Sequence, residues 1–81
     1  KTEALERAVP RLFADKSCGE VFRIKGFVKN GAGQWMELNA TPDSHTMQPV
    51  AVGQEVLIVI GEHLQEDKIR EILKEEEKCQ S

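Results

Sequence analysis

The clearest structural pattern in this 81-residue chain is EVFRIKGFVKNGAGQWMELNA, residues 20–40. Polar and apolar side chains alternate over residues 20–29 and again over 34–40, which is typical of strands with one buried and one wetter face. Between them stands Asn30-Gly31-Ala32-Gly33, whose Asn and Gly residues tolerate positive φ. The sequence therefore predicts an antiparallel hairpin that turns at Asn30.

The same alternation predicts which side chains share a face of the hairpin. One face of the first strand is expected to carry Phe22, Ile24 and Val28, with Gly26 among them. The other is expected to carry Val21, Arg23, Lys25, Phe27 and Lys29. On the returning strand, Met36, Leu38 and Ala40 oppose Trp35, Glu37 and Asn39.

Two further strands are predicted beyond the hairpin. Residues 45–50 form the weaker one, and Pro49, which has no backbone donor, favours an edge position for it. The other strand is predicted over residues 55–60, in which residues 56–60, Val-Leu-Ile-Val-Ile, are an unbroken aliphatic run. Such a run is typical of a central strand that is covered on both faces.

A helix is predicted at each end of the chain. Residues 2–14 carry an apolar stripe at helical spacing: Leu5, Ala8, Val9 and Leu12. Pro10 within this segment predicts a kink or a break. Residues 65–78 carry a second stripe: Ile69, Ile72 and Leu73. The element order α-β-β-β-β-α indicates an α+β fold, in which an antiparallel four-stranded sheet has helices packed on one face.

Length and charge limit the classes of function. We expect residues 1–81 to form a single domain, in which a deep internal active site is hard to build. The net charge of −3 offers no electrostatic footprint for nucleic acid. No apolar run approaches the roughly 20 residues that span a bilayer. Neither nucleic acid nor a membrane is therefore expected as a partner.

Motifs for catalysis or for a cofactor are missing from the sequence. No Gly-Lys-Ser/Thr tripeptide completes a P-loop, and no Ser-His-Asp or Cys-His arrangement has supporting context. The candidate metal ligands are Cys18, His45, His63 and Cys79, and none forms a close pair with a recognised ligand spacing. We expect no enzyme activity of this chain alone, no cofactor in it and no dedicated metal site.

The candidate interaction residues are Arg23, Lys25 and Trp35. The first two share the wetter face of the first strand, and the register of the hairpin decides whether Trp35 joins them. Arginine and aromatic side chains dominate protein interfaces, which favours a docking face. The alternative is a solvated strand face with incidental packing.

Four segments resemble a known family. Residues 19–28, GEVFRIKGFV, resemble the signature that opens the sheet of CobW C-terminal domains, and residues 33–35, GQW, resemble the turn-and-tryptophan segment that follows it. Residues 59–64, VIGEHL, resemble a later motif, and residues 67–73, DKIREIL, fit the closing helix. The resemblance covers nearly the whole chain in the right order, but it assigns no role to the matching Arg23, Lys25 and Gly26.

The resemblance implies a cytoplasmic fragment of a longer P-loop GTPase, in which this part is an accessory domain. It implies GTP, Mg²⁺ and a transition metal for the parent protein, which would serve cobalt or zinc handling or cobalamin synthesis. The implied partners are the N-terminal GTPase domain of the same protein and a client metalloprotein, with a homo-oligomer as a further option. Two alternatives stay open: a metal-binding module in its own right, and a stand-alone regulatory domain for a small ligand.

Overall fold

The computed structural model describes residues 2–78 and contains two helices and one sheet. The elements are α1 (Thr2–Ala14), a 3-10 turn (Lys16–Cys18), β1 (Glu20–Lys29), β2 (Trp35–Ala40), β3 (His45–Pro49), β4 (Val56–Glu62) and α2 (Glu66–Lys78). All paired strands are antiparallel, in the sheet order β3-β2-β1-β4. The predicted α+β fold with the order α-β-β-β-β-α is confirmed.

The hairpin of β1 and β2 turns at Asn30, as predicted. Its register places Lys29 opposite Trp35 and Ile24 opposite Ala40. The side-chain oxygen of Asn30 accepts hydrogen bonds from the backbone N–H groups of Ala32 and Gln34, both at 2.9 Å. This carboxamide therefore satisfies two donors inside the turn and fixes the register of the strands that follow.

Both helices pack on the same face of the sheet, here called the inner face. The largest fully buried side chains come from α1, the 3-10 turn, β1, β2 and α2: Leu12, Cys18, Ile24, Leu38 and Ile72. They form one cluster between the helices and the strands. The core of residues 2–78 thus lies on the inner face, and no helix of this range packs on the opposite, outer face.

Pro10 does not break the first helix. The whole span Thr2–Ala14 is one α-helix with Pro10 inside it, so the predicted break into two short helices is wrong. Pro10 itself is exposed, whereas Val9 and Leu12 on either side are buried. Burial of the apolar stripe offsets the backbone hydrogen bond that proline cannot make.

A β-bulge changes which face of the sheet the first side chains of β1 lie on. Against β4, Val21 pairs with Gly61 and Arg23 with Ile60, so Phe22 is an extra residue on β1. Val21 is consequently buried at 6% exposure and Phe22 is 47% exposed. The prediction that Phe22 faces the core and Val21 faces outward is wrong, because the inserted residue reverses the alternation at that point.

Of the two predictions about where β3 and β4 lie in the sheet, one is confirmed and one is wrong. Strand β3 lies at an edge of the sheet, as Pro49 predicts. Strand β4 lies at the opposite edge and is not central. Its side chains alternate between exposed and half-buried, with Val56, Ile58 and Ile60 exposed. The helices cover only its inner face, which is why the expectation of cover on both faces fails.

Ion pairs join the two helices to each other. Arg7 Nε lies 2.9 Å from Glu76 Oε1, and Arg11 contacts Glu76 Oε2 at 2.9 Å and Glu75 Oε1 at 2.8 Å. The hydrogen bonds from Arg11 and then from Arg7 lower the pKa of the Glu76 carboxyl. We call Arg7, Arg11, Glu75 and Glu76 the helix clamp.

Candidate interaction face

The outer face of the sheet carries the three residues predicted to form an interaction surface. Pairing in register places the following side chains on it: Arg23, Lys25, Phe27 and Lys29 of β1; Trp35, Glu37 and Asn39 of β2; Thr46 and Gln48 of β3; Val56, Ile58 and Ile60 of β4. Trp35 therefore shares a face with Arg23 and Lys25. It is not their neighbour, since Lys25 lies opposite Asn39 and Trp35 lies opposite Lys29.

The two cations are held in place by polar side chains of β2. Arg23 donates a hydrogen bond to Asn39 Oδ1 at 3.2 Å. Lys25 Nζ lies 3.6 Å from Glu37 Oε2. Exposed pairs of this kind contribute little to stability, so a carboxylate of a partner can compete for the same cations.

The Trp35 side chain packs against other residues of the chain. Lys29 Nζ lies 5.4 Å from the centre of its ring, within cation–π range. A Cβ added to Gly53 would lie only 2.9 Å from the ring, so the β3–β4 connection runs directly against the indole. The Trp35 carbonyl also accepts a hydrogen bond from Val50 N at 3.0 Å. Trp35 thus anchors this connection, and part of its surface is already covered.

An aliphatic row lies beside the cations and was not foreseen as part of the face. Val56, Ile58 and Ile60 are 40%, 46% and 49% exposed. Ile58 lies opposite Lys25, and Ile60 lies opposite Arg23. A run of five aliphatic residues is compatible with a central strand and with an apolar edge strand. Only the order of strands in the sheet distinguishes these two positions. A contiguous row of exposed aliphatic side chains that is bordered by polar residues is typical of protein-binding surfaces.

Cys18 is placed as a structural residue. It is fully buried in the core cluster, and its backbone carbonyl accepts a hydrogen bond from Gln65 N at 2.9 Å. Burial raises the pKa of its thiol. Metal binding and nucleophilic attack both need the thiolate, so this environment opposes both.

The two histidines lie at opposite edges of the sheet. His45 begins β3, and His63 follows β4 with a φ of 55°. Strands β3 and β4 are separated by two others, so the edges are about 14 Å apart at the usual strand spacing. One metal ion cannot be bound by both residues over that distance. Cys79, the remaining candidate ligand, lies outside the described residues.

Residues 2–78 offer neither a cluster of metal ligands nor a membrane-spanning helix. No group of three or more His, Cys, Asp or Glu side chains in this range could hold a metal ion. In the same range, neither helix is long and apolar enough to cross a membrane.

Comparison with known proteins supports the predicted family. Residues 1–77 match the family model described as the cobalamin synthesis protein cobW C-terminal domain. The match spans almost the whole chain, in agreement with the resemblance of the four sequence segments. No curated protein and no solved structure gives a match.

Proposed function

Because this chain belongs to the family of cobalamin synthesis protein cobW C-terminal domains, we propose that it is the non-catalytic accessory domain of a CobW-like, GTP-dependent metal chaperone. The parent protein would act in the cytoplasm in cobalt or zinc handling or in cobalamin synthesis. In this proposal, the nucleotide, Mg²⁺ and the transported metal are bound by the parent's GTPase domain.

The proposed role of the chain is to bind the N-terminal GTPase domain of the same protein through its outer face. The observation that carries this proposal is the row of exposed aliphatic side chains next to the cations of β1: Ile58 beside Lys25, and Ile60 beside Arg23. Burying the aliphatic row supplies free energy, and the cations select a surface that carries carboxylates. A client metalloprotein is the second partner that such a surface could serve.

The test is a titration of the 81-residue chain with the separately produced GTPase domain, followed by calorimetry. Replacing Arg23→Ala and Lys25→Ala together should weaken binding by about tenfold or more, since truncating interface residues of this kind costs about 1–3 kcal/mol. Replacing Ile58→Ser should weaken it as well.

A matched control removes two positive charges elsewhere. Lys16 and Lys74 are exposed and lie on the 3-10 turn and on α2, away from the outer face. The double variant Lys16→Ala, Lys74→Ala should bind as the natural chain does. Equal affinities for all variants would show that the outer face does not bind the GTPase domain.

A further inference from the structure

We propose that β4 is a self-association edge, at which the strand pairs antiparallel with β4 of a second copy about a two-fold axis at Ile58. The paired sheets would form one continuous eight-stranded sheet. The pairing uses the backbone edge of β4 and leaves the cations of the outer face uncovered. Although Ile58 belongs to both surfaces, self-association is measured on the chain alone, without the GTPase domain.

In the described part of the chain, the backbone of β4 is paired along one side only. Within residues 2–78 the strand pairs with β1 alone, so the N–H and C=O groups on its far side have no strand to bond. Soluble proteins protect such edges with lysine, proline or a bulge. The other edge, β3, ends at Pro49 and carries polar side chains, whereas the bulge near β4 lies in β1. The span Val56–Glu62 has no lysine, proline or bulge of its own.

The apolar character of β4 on both faces defines the strand that fits it. On the outer face it presents Val56, Ile58 and Ile60. On the inner face, a groove between β4 and α2 is lined by apolar side chains: Leu57, Val59, Leu64, Ile69 and Leu73. A strand added at this edge must therefore be apolar on both of its faces. Among the strands of residues 2–78, β4 has the unbroken aliphatic run that meets this requirement.

A register centred on Ile58 matches every aliphatic residue of the run with another. Ile58 would lie opposite Ile58 of the second copy, Val56 opposite Ile60, and Leu57 opposite Val59. The flanking Glu62 would lie opposite Gln54, so no carboxylate faces another directly. Glu66 and Arg70 also line the groove, and they form an ion pair with each other. The charged residues of the groove therefore balance.

The first experiment is sedimentation equilibrium of the 81-residue chain. A single strand pair buries less surface than a stable interface of about 1,200–2,000 Å², so the dimer is expected to be weak, with a dissociation constant on the order of 0.1 mM. The average mass should rise from 9.1 kDa towards twice that value as concentration increases. Ile58→Lys should abolish the rise, and Thr46→Lys, on the β3 edge, should leave it unchanged.

The second experiment separates edge pairing from stacking of outer faces. In a Cys79→Ser background, oxidised Ile58→Cys should form a disulfide-linked dimer, and Thr46→Cys should remain monomeric. Amide hydrogen exchange should show that alternate amides of β4 become protected as concentration rises, which face-to-face stacking would not produce. A chain that stays at 9.1 kDa at millimolar concentration, or a dimer that persists in Ile58→Lys with an unchanged circular dichroism spectrum, overturns the proposal.

Discussion

Arg11 of α1 donates to Glu76 of α2 across 65 positions of sequence, with Nη1 lying 2.9 Å from Oε2. Arg7 donates to the other oxygen of the same carboxylate at 2.9 Å and to the Glu76 carbonyl at 3.1 Å. Although Glu76 belongs to a strongly acidic helix, its carboxylate is therefore paired with two arginines of the other helix. The first prediction concerns what this carboxylate does for stability.

We expect Glu76→Gln to lower the melting temperature at neutral pH and to have little effect at low pH. The pKa of Glu76 is below its ordinary value of 4.5 in the folded chain, because Arg11 and Arg7 donate to its charged form. Its contribution to stability is thus present above the unfolded pKa and is lost as pH falls through the lower, folded pKa. Melting curves between pH 2 and 8 measure this dependence.

The control for this prediction is Glu77→Gln, which removes the same charge from the adjacent, exposed position of α2. It should cause a smaller change in melting temperature at neutral pH. Equal losses for the two variants would mean that the helix clamp contributes no more than the general charge of the helix.

The second prediction concerns the close approach of Gly19 to His63. Gly19 has a φ of 98°, and a Cβ there would lie 2.3 Å from the His63 carbonyl oxygen. Gly33 has a φ of 81° with no atom within 4 Å of such a Cβ. Gly33→Ala should therefore cost about 1–2 kcal/mol from backbone strain alone. Gly19→Ala should cost at least about 1 kcal/mol more, because the backbone must also shift. Urea unfolding of both variants checks this difference.

The third prediction tests the bulge in β1. Val21→Ala should destabilise the chain by about 1.5–3 kcal/mol, since Val21 is buried. Phe22→Ala should cost about 1 kcal/mol or less, although it removes a larger side chain, because Phe22 is half-exposed. A greater loss for Phe22→Ala in urea unfolding would contradict the bulge and restore simple alternation.

The fourth prediction concerns the reactivity of Cys18. In a Cys79→Ser background, the thiol should react with a disulfide reagent far more slowly than a free cysteine does, since it is buried and its pKa is raised by that burial. The rate should increase sharply in urea as the core opens. Fast reaction of the native chain would place Cys18 at an accessible site and reopen its candidacy as a ligand.

Local sequence patterns predict most of the fold. The turn at Asn30 and the alternation after it identify the hairpin, and Pro49 identifies an edge strand, because both signals act over a few neighbouring residues. The bulge at Phe22 was not predictable in this way, because it exists only in the pairing of β1 with β4. The helix clamp was missed for the same reason, since Arg11 and Glu76 meet only after both helices pack on the sheet.

The sequence predicts part of where the candidate interaction residues lie in the fold. Arg23, Lys25 and Trp35 do share a face, but the strand register places Trp35 beside Lys29. The ring of Trp35 packs against the β3–β4 connection at Gly53. The exposed row that includes Ile58 was assigned to a buried strand, since composition does not reveal whether a neighbour lies on each side. Strand order is a tertiary property, and it decides which residues a partner can reach.

The hairpin turn also bears on how quickly the sheet assembles. The Asn30 carboxamide bonds to amides no more than four positions away, so its contacts cost less loop-closure entropy than contacts between distant strands. Pairing of β1 with β4 joins residues that are far apart in sequence, so it costs more loop-closure entropy and should form later. We therefore expect the turn to be part of the folding nucleus. If it is, Asn30→Ala should slow refolding and leave the rate of unfolding nearly unchanged.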